Sequence, residues 1–136
     1  MKYKRSELRE KIMIILYQID FYKKGNMNYN VDDVIKENID IDNEFVKSIV
    51  YGVIEKEKEL IDKIEFHLKN WSFKRLGSTD QAILKLSTYE LLYTDTPKVV
   101  SINEGIELAK KYSDEKVVPM INAVLDGILN EENNGL

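Results

Sequence analysis

Two short stretches combine cations and aromatics in a pattern that suits an anionic polymer. The first, "MKYKRSELRE", carries Lys2, Lys4, Arg5 and Arg9 with Tyr3 among them. On a helix Arg5 and Arg9 stand one turn apart, so they can share a face and grip adjacent phosphates. A charged, partly disordered tail is the alternative reading. The second, "LAKKYSDEK", places Lys110, Lys111 and Tyr112 at a helix end, with Lys116 shortly after. A tyrosine beside lysines can stack an unpaired RNA base. The same residues also suit a lysine-complemented helix dipole and an aromatic packed into a core.

Catalytic chemistry has no comparable constellation. The chain has no cysteine and a single histidine, His67. Flanked by Phe66 and Leu68 and placed mid-helix by the pattern, His67 suits a structural role better than that of a general base or metal ligand. No glycine-rich phosphate loop and no nucleophile elbow are present. Asp32 and Asp33 adjoin in sequence, and neighbours on a helix do not converge on one substrate. The expectation is a protein that is no enzyme and takes neither metal nor cofactor.

The net charge is -4 over 136 residues, which alone argues against nucleic acid, but its distribution is uneven. Residues 1–11 carry a net +3, and residues 31–44 a net −5. Hydrophobic residues make up 43% and charged residues 32%, the balance of one globular domain with a sizeable core. The apolar run Ile12–Tyr17 is too short for a membrane span, and no cleavable leader is evident. With the missing cysteines, this points to a cytoplasmic location.

The elements that must position these groups are helices. Leu8, Ile12, Ile15, Leu16 and Ile19 form one apolar stripe, with Ser6 as its cap. After the turn residues "KKGNMNYN", Val31, Val34 and Ile35 mark a short helix. Asp42 then caps a long periodic run from Phe45 to Leu68, in which Gly52 either breaks the helix or admits a close neighbour. "NWSFKRLG" is a connection. Its Trp71 and Phe73 group with Tyr89 and Tyr93 as core aromatics, an exposed edge of which could anchor a protein partner. Ser78 with Gln81, and Ser101 with Glu104, have capping-box spacing. Thr96-Pro97 ends one helix and Pro119 fits the first turn of the last. The expected fold is all-α, a compact bundle of about six or seven helices over residues 1–130, followed by a polar tail at 131–136.

In order and spacing, "RLGSTDQAILKLSTYELLY", "PKVVSINEGIELAKKYS" and "MINAVLDGIL" strongly resemble the NusB family of transcription antitermination factors. "LREKIMIILYQID" and "FVKSIVYGVIEKEKELIDKI" resemble that family's first and central helices. The resemblance implies two packed helical sub-bundles and no catalytic activity. It also implies binding of single-stranded boxA RNA of ribosomal RNA transcripts, jointly with the small-subunit ribosomal protein NusE. The complex would join the elongating RNA polymerase with other Nus factors.

Site residues carry over one by one. Arg5 and Arg9 match the family's arginine-rich start, while Ser6 and Glu7 replace further arginines and dilute it. Tyr112 matches an aromatic near the RNA, and Lys116 falls in a loop placed beside it. Met120 stands where a phenylalanine is typical. Asp80 matches an acidic position on the NusE side, where a carboxylate suits a basic partner. The dilution leaves a second reading open: a NusB-like interaction module with weakened RNA binding. The chain is a monomer or a homodimer, and a dimer would mask these surfaces.

Overall fold

A computed structural model describes residues 3–134 of the chain. Among these residues it contains six α-helices, one 3-10 turn and no strand. The helices are α1 (Arg5–Lys24), α2 (Val31–Asn38), α3 (Glu44–Phe66), α4 (Ser78–Tyr93), α5 (Lys98–Tyr112) and α6 (Val118–Asn133). The 3-10 turn, Phe73–Arg75, lies in the connection between α3 and α4. No helix of the described residues is long and apolar enough to cross a membrane.

α4 is the central element, packed against α1, α3, α5 and α6. It is buried nearly all round, so its polar residues need partners inside the protein. Gln81 donates to the carbonyls of Phe73 and Leu76, at 3.2 and 2.9 Å. Lys85 pairs with Glu57 of α3 at 2.8 Å, and Glu90 pairs with Arg9 of α1. Ser87 faces Gly105 of α5, where a Cβ would collide with the serine hydroxyl. Gly52 does the same for α3: its missing side chain admits the ring of Tyr89, and α3 continues through it unbroken.

Several helix starts differ from those the capping patterns predict. α1 begins at Arg5, ahead of Ser6, with the Lys4 N–H donating to Glu7 at 2.8 Å. Asn43, one residue after Asp42, caps α3 by accepting from the Val46 N–H at 3.0 Å. α4 takes Ser78 into its first turn, and Gln81 turns inward. α5 starts three residues before Ser101, because Pro97 fixes a φ of −54° and its carbonyl accepts from the Val100 and Ser101 N–H groups. With its N–H already in the helical ladder, Ser101 is buried in the helix, and Glu104 is free to reach α1. α6 runs on through Asn133, so residues 131–133 are helical where a tail was expected. His67 ends α3 and pairs with Glu131 at 2.8 Å, which ties the two helix ends together.

Candidate nucleic-acid interface

The N-terminal half of α1 crosses α4 and α5, and this crossing decides which of the expected cations are available. Arg9 is only 5% exposed. Its Nε donates to Glu90 at 2.8 Å, its Nη2 to the same carboxylate at 2.5 Å, and its Nη1 to Glu104 at 3.2 Å. Burial works against the charge, but the hydrogen bonds and charges of Glu90 and Glu104 outweigh it and hold the guanidinium pKa above its ordinary value. Glu90 also accepts from the Thr96 hydroxyl at 2.8 Å. The sequence reading has Arg9 gripping a phosphate; in the structure its guanidinium turns inward to Glu90 and Glu104 and joins α1 to α4 and α5. Arg5 does lie on the same side, its guanidinium 4.0 Å from the centre of the Phe45 ring, and it is exposed.

The second cation–aromatic site meets the first through Glu10. One carboxylate oxygen accepts from Lys111 Nζ and from the Tyr112 hydroxyl, both at 2.6 Å. The Lys111 hydrogen bond is the main reason that Glu10 sits below the ordinary carboxylate value, and Tyr112 adds to it. Reciprocally, Lys111 and Tyr112 are held above theirs. Lys111 Nζ also lies 5.4 Å from the Tyr112 ring centre. Both side chains remain exposed at the end of α5. The open groove between α1 and α5 is lined by Glu7, Glu10, Glu104 and Glu107 together with Lys110 and Lys111, so it is more acidic than basic.

The remaining expected residues are scattered around this end of the molecule. Lys4 is exposed at the start of α1. Lys116 is exposed in the loop before α6, where its N–H donates to Asp114 at 3.0 Å. Met120 is half-buried and packs on the core. Asp80, in the first turn of α4, is half-buried and accepts from the Ser113 hydroxyl. This bond joins the start of α4 to the corner that follows Tyr112. Lys2 lies outside the described residues.

Three features escaped sequence reasoning. Glu10 and Glu104 are ordinary carboxylates in sequence, and only the crossing of α1 with α5 turns them into partners for the cations. Trp71, grouped with the core aromatics, is 56% exposed. Asn70, at a φ of 67°, reverses the chain after α3, and Phe73 takes the inward place. The signal for an exposed site was present in the cations of "KNWSFKR".

Among the described residues no group of three or more His, Asp or Glu side chains is placed to hold a metal ion. The family model described as NusB family matches residues 6–130. The transcription antitermination protein NusB of Macrococcus caseolyticus is 42% identical over 94% of this chain and 98% of its own length. That of Bacillus velezensis is 40% identical over 92% of this chain and 95% of its own. Among solved structures, T. maritima NusB superimposes with a TM-score of 0.85 at 30% identity over the full length of both chains. A chain from a crystal structure of the antitermination factors NusB and NusE with double-stranded RNA gives 0.81 at 27% identity, covering 96% of this chain and 99% of that one. These relatives are regulatory proteins and not enzymes, and the chain described here belongs to the NusB family of transcription antitermination proteins.

Proposed function

We propose that this protein binds the single-stranded boxA element of ribosomal RNA transcripts together with ribosomal protein NusE. In this reading the pair joins the elongating RNA polymerase with other Nus factors and acts in the cytoplasm. The observation that carries the proposal is the exposed Lys111–Tyr112 pair at the end of α5, with Lys116 in the loop beyond it. Tyr112 supplies a face for an unpaired base and the lysines supply charge for the backbone. Lys4, Arg5 and Lys2 add to that charge from the start of the chain, and Met120 lines the apolar side. Asp80, beside the same corner, is the carboxylate proposed to face basic NusE. The fold match to a NusB chain solved with NusE and double-stranded RNA supports the NusE and RNA part of this reading.

The buried Arg9 and the acidic α1–α5 groove favour a second reading, in which the fold and the NusE surface are kept and intrinsic RNA affinity is low. Binding of boxA RNA, a scrambled strand and a duplex, each with and without NusE, separates the two. The first reading expects boxA preference that NusE strengthens. NusE binding without any boxA preference would favour the second. Sedimentation over a concentration series distinguishes a monomer from a masked homodimer.

A further inference from the structure

The end of α3 and the α3–α4 connection carry two exposed aromatics and three exposed cations. Trp71 is 56% and Phe66 77% exposed. Lys69, Lys74 and Arg75 are exposed and form no ion pair among the described residues. Between Phe66 and Asp80 there is no carboxylate, in a chain whose net charge is -4. One nearby carboxylate, Glu65, already accepts from the Phe73 N–H at 2.7 Å.

The course of this connection places it beside the candidate interface. At its start His67 meets Glu131 near the end of α6. Just past its end Asp80 meets Ser113, at the corner that follows Tyr112. The connection is therefore tied at its start to the end of α6 and, just past its end, to the corner between Tyr112 and Lys116.

We propose that this connection is a second contact for single-stranded RNA, with Trp71 stacking a base and Lys69, Lys74 and Arg75 facing phosphates. It receives the part of the strand that continues past the α5 end. An exposed indole set among unpaired cations is the combination that holds unpaired nucleic acid with little regard to sequence. A protein partner of ordinary interface chemistry would bury three uncompensated charges with the indole. The inference rests on the RNA-binding reading above and extends its footprint.

Trp71 is the chain's only tryptophan, so its fluorescence reports on this site alone. The probes are a boxA strand of about 10 nucleotides and the same strand extended with uridines to about 24, lengths that bracket one and two sites of ordinary size. The longer strand is expected to quench the emission and to bind more tightly than the shorter one. Trp71→Ala should weaken the longer strand about five- to tenfold while leaving the shorter within about twofold. Trp71→Phe should restore most of the loss. Replacing Lys74 and Arg75 by Gln should reduce the salt slope for the longer strand by about 1.4, with the far-ultraviolet circular dichroism unchanged.

Tight binding of the longer strand with unchanged emission and no effect of these substitutions would overturn the inference and leave the α5 site standing. Failure of both strands to bind would overturn the RNA-binding reading itself, and this extension with it. A Trp71→Ala variant that changes sedimentation of the protein alone but not RNA affinity would reassign the patch to self-association.

Discussion

Arg9→Met removes the guanidinium while keeping much of the side chain's length. Glu90, 1% exposed, then loses its two-point partner and keeps the Thr96 hydroxyl as its remaining side-chain donor. Removing one member of a buried pair costs about 3–5 kcal/mol, because the other charge stays buried without compensation. A domain of this kind has a total stability of about 5–15 kcal/mol. At this chain length about 1 kcal/mol moves Tm by roughly 3–5 °C, so the variant should melt about 10–20 °C below the parent. The double variant Arg9→Met/Glu90→Gln, which also removes the buried charge, should recover half of that loss or more. Melting followed by circular dichroism at low and moderate salt reads both. Affinity for boxA RNA, measured well below the variant's Tm, should stay within about twofold of the parent, since no phosphate contact is lost. An Arg9→Met variant that melts within about 2 °C of the parent and loses RNA affinity would refute the clasp and return Arg9 to the RNA.

Two further outcomes follow from other ion pairs of the protein, at Glu10 and at Glu57. Glu10→Gln removes the carboxylate that competes with phosphate for Lys111 and Tyr112, so boxA affinity should rise about two- to fivefold; unchanged or weaker binding would show that Glu10 orients the pair without masking it. Glu57 is partly buried, and although burial raises its pKa, Lys85 and Lys23 outweigh this and hold it below the ordinary 4.5. Its stabilisation is therefore present above pH 4.5 and lost as pH falls through the lower folded value. Glu57→Gln should lower the urea midpoint at neutral pH and flatten its decline below that point, and a decline parallel to the parent's would contradict the assignment.

Periodicity placed the helices well, because an apolar stripe that repeats every three to four residues has one way to be buried. Gly52 shows the limit of propensity: packing against Tyr89 keeps α3 continuous through a residue that weakens isolated helices. Helix starts were less legible. Ser101 and Glu104 have capping-box spacing, yet Pro97 starts α5 a turn earlier and sends both side chains elsewhere. The cations were legible as residues, but their partners were not. Arg5 and Arg9 share a helix face, and the crossing of α1 with α4 buries one and leaves the other exposed. Glu10 lies 102 residues from Tyr112 in sequence, a separation at which no local pattern operates. Trp71 looked like core because tryptophan usually is, and the turn at Asn70 decided otherwise.

The most direct test of the proposed function is the affinity of the purified protein for boxA RNA relative to a scrambled strand of equal length, across a salt series, with and without NusE. A boxA preference that NusE strengthens, and that Lys111→Glu weakens without loss of helicity, is the expected result. Equal affinity for the two strands with NusE present would contradict it.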